Sequence, residues 1–140
     1  DIAHSRLKLS PDAVTAEQRR KMPPVPQAMG RVNPTTGRKS LLIGSHISRI
    51  EGMADDEAEA LNAELVALAT RPENTYRHKW SPGNKAGPRT IDLDIVIWDN
   101  RAVLHRGLPY DEVHDRRLMI RTTLAGTGPT VIDGRIQPGA

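Results

Sequence analysis

The sequence predicts a mostly β fold with helical decoration, and three observations carry that expectation. Short apolar-alternating runs recur along the chain, turn residues separate them, and only one stretch has a sustained helical stripe. At 140 residues, with 37% hydrophobic and 26% charged residues, the chain has the make-up of one globular domain.

Residues 1–36 are rich in Pro, Arg and Gln, and the run KMPPVP at Lys21–Pro26 forbids regular structure there, so this segment reads as a loop or lid. A short helix is expected before it, starting near Ser10-Pro11-Asp12, where Ser10 can cap and Pro11 suits a first turn. Asn33–Gly37 (NPTTG) reads as a turn leading into a short strand over Lys39–Ile43. Asp55, Asp56 and Glu57 then make an acidic first turn for a helix over 55–70. Its apolar stripe is Ala58, Leu61, Leu65 and Leu68, and it stops before Arg71-Pro72.

Thr75–Trp80 alternates, with Tyr76, His78 and Trp80 on one side. A Pro/Gly loop follows, and Ile95–Trp98 is expected as an apolar strand ending in the loop that carries His105. Leu118, Ile120, Thr122 and Leu124 alternate with Arg117, Met119, Arg121 and Thr123, which puts Arg117 and Arg121 on one face of a strand roughly 13 Å apart. An i, i+4 spacing would also align them on a helix, but Thr122-Thr123 and the nearby Gly126 favour strand and turn. Residues 127–140 read as a tail.

Composition excludes several function classes. No apolar run approaches the ~20 residues of a spanning helix. The chain has no cysteine, so it has neither disulfides nor thiolate metal sites, which fits a reducing compartment such as the cytoplasm. Its 20 basic residues are interleaved with 17 acidic ones, and aromatic residues are 3% with no Phe. A nucleic-acid interface would need a basic tract or a stacking platform, and neither is present. One imidazole, His105, followed by Arg116, Arg117 and Arg121, points instead to a site for an acidic small molecule. A guanidinium keeps its charge and offers a carboxylate a planar two-donor fork.

The order of segments is more specific than any one of them. NPTTGRKSLLIGSHISRIEGM, an amphipathic helix, YRHKWSPG, DIVIWDNRAVLHRG and RRLMIRTTLAG together resemble the C-terminal half of the TauD/TfdA family from about Met22 to Gly126. That family comprises Fe(II)- and 2-oxoglutarate-dependent dioxygenases. The resemblance implies a double-stranded β-helix (a jelly-roll, cupin-like barrel), incomplete in this chain, with barrel strands over 37–126 and the whole of 1–140 as the C-terminal portion of one catalytic domain.

By the same resemblance His105 is one iron ligand, Arg117 grips the distal carboxylate of 2-oxoglutarate, and Arg121 meets the acidic group of the primary substrate. Asp99, in the WDN segment, supports the strand end of the histidine and is not a ligand. GSHISRIEG and YRHKW resemble the members that act on aryloxyalkanoates, which brings His46, and less strongly His78, toward the substrate. The implied reaction decarboxylates 2-oxoglutarate to succinate and CO2 while O2 hydroxylates an aryloxyalkanoate or a sulfonate. The small acidic substrate and O2 are the expected partners, together with a possible homo-oligomer.

Two departures stand beside the match. The family's first two ligands come as H-x-D/E, whereas His4, His46, His78, His105 and His114 are followed two residues on by Arg6, Ser48, Trp80, Gly107 and Arg116. The alternatives are therefore a non-catalytic fragment or pseudo-enzyme, or a metal-free cupin-like module that binds an acid. The second departure is Asn84–Leu93, which reads as an insertion at a hairpin tip. Half a barrel would also leave strands without partners, so association or aggregation is expected of such a piece.

Overall fold

The computed structural model describes residues 10, 12, 14–81, 94–115, 117–126 and 128–137; the Asn84–Leu93 insertion and Arg116 lie outside the described residues. The chain divides into two compact units, one made of Asp1–Val25 and Ile43–Asp99, the other of Pro26–Leu42 and Asn100–Ala140.

In the first unit, helix α1 spans Ala16–Lys21. It begins later than the expected start near Ser10, because Thr15 and Gln18 form a complete capping box. The Thr15 hydroxyl accepts the Gln18 N–H at 3.2 Å, and the Gln18 side chain accepts the Thr15 N–H at 2.9 Å. Two otherwise unpaired donors are satisfied at once, which Ser10-Pro11 cannot match.

Helix α2, Asp55–Ala69, falls within one residue of the expected span. Ala54 at its N-cap makes no side-chain cap, so the first turn relies on Asp55, Asp56 and Glu57 against the positive end of the helix dipole. Its covered face is Ala58, only 3% exposed, with Leu61, Asn62, Leu65 and Val66 half-buried. Leu68 is exposed, so the buried stripe leaves the expected line in its last turn. At the C-terminus no glycine cap exists. The Thr70 hydroxyl donates to the Val66 carbonyl at 2.8 Å, Asn74 donates to Leu68 at 3.1 Å, and a 3-10 turn over Pro72–Asn74 ends the helix.

Asn62 carries the main tie between α2 and the loop before it. Its amide accepts the Gly44 N–H at 2.9 Å and donates to the Gly44 carbonyl at 3.1 Å. Gly44 has φ 116°, a backbone position that a side chain would strain, and the buried Ile43 precedes it.

In the second unit, β1 (Gly30–Val32) pairs antiparallel with β2 (Lys39–Leu41), with Arg31 opposite Ser40. The strand expected over Lys39–Ile43 is thus shorter by two residues, and its partner lies inside the stretch read as loop or lid. Asn33 closes the turn, its side chain accepting the Thr35 and Thr36 N–H groups at 2.9 and 3.0 Å. A second hairpin, β3 (Val131–Ile132) with β4 (Arg135–Ile136), forms in the stretch read as a tail. Asp133 and Gly134 at its tip have φ 49° and 73°, the paired positive values that a tight hairpin of this twist requires. The Thr130 hydroxyl accepts the Ala28 N–H and donates to the Gln27 side chain, both at 2.9 Å, tying the hairpin to the segment before β1.

The strands expected over Thr75–Trp80, Ile95–Trp98 and Leu118–Leu124 have no ladder partner among the described residues. The physical reason lies in exposure: Ile97 and Ile120 are 90% and 93% exposed, so nothing covers the apolar side of either run. Alternation specifies two faces but supplies neither a neighbouring strand nor a cover. Among the described residues the closed barrel is therefore not formed, and the molecule is mostly non-helical with two small antiparallel sheets. No helix of the described residues is long and apolar enough to cross a membrane.

Candidate functional site

The site residues predicted from sequence divide between the units. His46 lies in the first, whereas His105, Arg117 and Arg121 all lie in the second. Local structure of the second unit explains how Arg117 comes to lie against the loop that carries His105. The Ser40 hydroxyl of β2 donates to the Arg101 carbonyl at 2.6 Å, fixing the start of the loop that leads to His105. Six residues beyond His105, Asp111 closes a tight turn: its carboxylate accepts the Val113 and His114 N–H groups at 3.0 and 3.1 Å, and its carbonyl accepts the Asp115 N–H at 2.9 Å. The second carboxylate oxygen lies 2.8 Å from His114 Nδ1. That side-chain bond, followed by the backbone N–H of His114, holds the Asp111 carboxyl below the usual carboxylate range.

This turn reverses the chain, and Arg117 returns onto the loop that carries His105. Its guanidinium lies against Gly107: a Cβ built on that glycine would sit 3.3 Å from one terminal nitrogen and 3.6 Å from the other. The guanidinium carbon is also 5.7 Å from the centre of the Tyr110 ring, within cation–π reach. The structure thus brings Arg117 beside the residue two positions after His105. His105 and Arg121 are both exposed.

Asp111, Glu112 and Asp115 are the carboxylates that most closely precede Arg117 and Arg121 in sequence. Among the described residues neither arginine makes an ion pair, and Asp111 is occupied by His114 and its own turn. Among the described residues neither guanidinium therefore spends its donor fork on a carboxylate.

In the first unit His46 is exposed. A cavity of about 230 Å³ lies close by in sequence, lined by Arg49, Asp55, Glu59 and Asn62 among others, but His46 does not line it. His78 faces Asp94, with Nε2 3.1 Å from the carboxylate, and its ring meets Trp80 edge-on at 4.7 Å. The same Asp94 oxygen accepts the Ser81 N–H at 2.7 Å. Bonds from Ser81 are the largest cause, with His78 adding to them, of an Asp94 carboxyl held below its ordinary value. His78 is therefore engaged in a structural contact.

Sequence reasoning missed Gly107, Tyr110, Asn62 and Asp94. Asn62 left one signal, a polar residue beside an apolar helical stripe. Gly107 left another, a glycine two residues after the histidine where no turn calls for one.

The residues present were tested against a metal. Among the described residues no group of three His, Asp or Glu side chains is placed to hold one. The donor set of the described residues therefore does not by itself fit a complete iron centre, and His105 could supply one ligand of it. The Arg117 guanidinium beside the His105 loop offers a planar two-donor fork of the kind that suits a carboxylate.

Fold and site together describe a protein of short antiparallel β-hairpins in which, among the described residues, Arg117 lies without an ion pair against the loop that carries His105. Residues 2–123 match the model described as "Taurine catabolism dioxygenase TauD, TfdA family", and the chain belongs to that family. It is 44% identical over 121 residues to an alpha-ketoglutarate-dependent 2,4-dichlorophenoxyacetate dioxygenase of Burkholderia sp. (strain RASC), covering 86% of this chain and 37% of the relative. It is 39% identical over 104 residues to an (S)-phenoxypropionate/alpha-ketoglutarate-dioxygenase of Sphingobium herbicidovorans, covering 74% of this chain and 32% of the relative. Among solved structures, AAD-2 in complex with Mn(II) and N-oxalylglycine matches with a TM-score of 0.53 at 36% identity, over 57% of this chain and 31% of that one. The chain thus spans about a third of the length of these curated relatives, 37% of the first and 32% of the second.

Proposed function

We propose that this chain is the C-terminal portion of a single catalytic domain of an Fe(II)- and 2-oxoglutarate-dependent dioxygenase that acts on a small acidic substrate, an aryloxyalkanoate ahead of a sulfonate. The observation that carries the reading is the Arg117 guanidinium packed on the loop of His105 and making no ion pair among the described residues. Membership of the family and the names of the relatives support it.

In this reading the whole protein couples decarboxylation of 2-oxoglutarate, to succinate and CO2, with hydroxylation of the substrate by O2. Arg117 binds the distal carboxylate of the co-substrate and sets its distance from His105, the one iron ligand of this chain. Arg121 receives the acidic group of the substrate. His46 lies toward the substrate in the same reading. The barrel architecture is a double-stranded β-helix, supported by the solved neighbour. A cytoplasmic location is supported by a chain without cysteine, and self-association by its exposed apolar side chains.

The test divides the two arginines. Arg117→Ala weakens 2-oxoglutarate binding, whereas Arg121→Ala chiefly raises KM for a phenoxyacetate. Losing one partner of a buried charged pair costs about 2 to 5 kcal/mol, and with both arginines exposed the lower end is expected. Equal effects of both variants on both ligands would refute the division of labour.

A further inference from the structure

We propose that Gly107 and Tyr110 are positioning residues that hold the Arg117 guanidinium on the His105 loop and so set the affinity for 2-oxoglutarate. The proposal rests on the reading of Arg117 as the co-substrate anchor.

The absence of a side chain at position 107 has a spatial reason. Among the described residues five glycines have positive φ, namely Gly37, Gly44, Gly52, Gly128 and Gly134, and Gly107 is not among them. Its backbone therefore suits an alanine. What does not is the space, since a Cβ would stand 3.3 Å from one terminal nitrogen of Arg117, 3.6 Å from the other and 3.9 Å from the guanidinium carbon. All three atoms of the fork face this one backbone position. Even a methyl group must push the guanidinium away by a few tenths of an ångström.

Tyr110 contributes from three residues further along. The guanidinium carbon is 5.7 Å from its ring centre, and the negative face of an aromatic ring attracts a cation without using any of its N–H donors. A carboxylate in place of Tyr110 would consume the fork that 2-oxoglutarate needs. A ring and a bare backbone hold the side chain and leave its donors available. Asp111, next to Tyr110, forms the turn that returns Arg117 to this place and spends its carboxylate on His114 and backbone N–H groups, leaving none for the arginine.

Gly107→Ala, Tyr110→Phe and Tyr110→Leu are to be made in the purified protein beside Arg117→Ala. Binding of 2-oxoglutarate is measured by calorimetry without turnover, the Arg117 side-chain N–H resonance by NMR, and KM for both 2-oxoglutarate and the acidic substrate by succinate release. Tyr110→Phe keeps the ring face and is expected to match the parent. Tyr110→Leu is expected to weaken 2-oxoglutarate binding about two- to fivefold, the range of an exposed cation–π contact. Gly107→Ala is expected to weaken it by a similar factor. In both weakened variants the Arg117 resonance moves and KM for the acidic substrate does not. Tyr110→Leu and Gly107→Ala that bind 2-oxoglutarate like the parent, while Arg117→Ala does not, would overturn the proposal. If Arg117→Ala itself leaves 2-oxoglutarate binding intact while the resonance still moves in Tyr110→Leu, the anchor reading fails and the contact survives as a purely structural one. Variants that fail to fold are resolved by Tyr110→Phe: a shifted Arg117 resonance in that folded protein would also count against the ring-face contact.

Discussion

Helix α2 and the segment Leu118–Leu124 carry the same raw material, apolar side chains at regular spacing, and end in opposite states. The helix pairs its own backbone groups and needs cover for only one stripe, which Ala58, Leu61 and Leu65 find inside the first unit. The segment needs a neighbouring strand for every backbone group and a cover for its apolar face, and it has neither among the described residues. An element that completes itself locally forms whatever lies beyond it. One that depends on distant partners keeps its pattern without its ladder.

The sharpest way to break this contrast is through Asn62, whose side chain ties α2 to Gly44 in the loop before it. Asn62→Ala leaves a part-buried N–H and a carbonyl without their partners. The expected loss is about 1 to 3 kcal/mol, read as a lower urea midpoint at unchanged slope. Gly44→Ala, at φ 116°, should cost about as much through strain at the other end of the same tie. An Asn62→Ala protein as stable as the parent would mean that the helix stands alone and the tie contributes nothing.

How much of this was legible in the sequence follows the same line. The acidic turn and stripe of α2 were legible because helix rules are local. The capping box Thr15–Gln18 was equally local, yet Ser10-Pro11 looked like a start too, and only the reciprocal pair of bonds decides between them. Asp133-Gly134 is a strong hairpin signal, but two-residue strands leave little alternation to flank it. The site was legible as residue types, an arginine fork and a histidine. The contact of Arg117 with Gly107 and Tyr110 was not, because it exists only after Asp111 reverses the chain. Leu68 shows the limit even in the helix, since a stripe drawn on an ideal wheel does not know where its cover ends.

A weaker test uses the pair His78–Asp94, in which His78 lies in the strand expected over Thr75–Trp80 and Asp94 just before the one expected over Ile95–Trp98, neither of which has a ladder among the described residues. The Asp94 carboxyl is held low, first by Ser81 and then by His78. A carboxyl with a lowered folded pKa contributes stability that is present above its ordinary value of 3.8 and is lost as pH falls through the lower folded value. Between pH 5 and 7 the contact therefore stays intact on the Asp94 side. The carboxyl carbon shift of Asp94 should titrate with a midpoint below 3.8, and a midpoint at or above it would mean that Ser81 and His78 do not hold this group in solution. Because Asp94 is close to solvent, the effect on global stability should be smaller than that of Asn62→Ala.

The smallest expected effect probes the exposed segment itself. Ile120 is 93% exposed, so replacing it with threonine removes no buried area and keeps a β-branched side chain. Where nothing covers the face, Ile120→Thr should change stability by no more than about 0.5 kcal/mol, as surface substitutions do. Where a second copy or further strands of a complete domain lie on it, the same change removes a buried apolar side chain and adds a hydroxyl to a dry contact, a loss of about 1 to 3 kcal/mol. Melting the chain alone and as part of a full-length family domain distinguishes the two states. A neutral result in the first and a large loss in the second would locate the missing partner of Leu118–Leu124 on this face. A neutral result in both would show that its alternation serves Arg117 and Arg121 on the opposite side rather than a core.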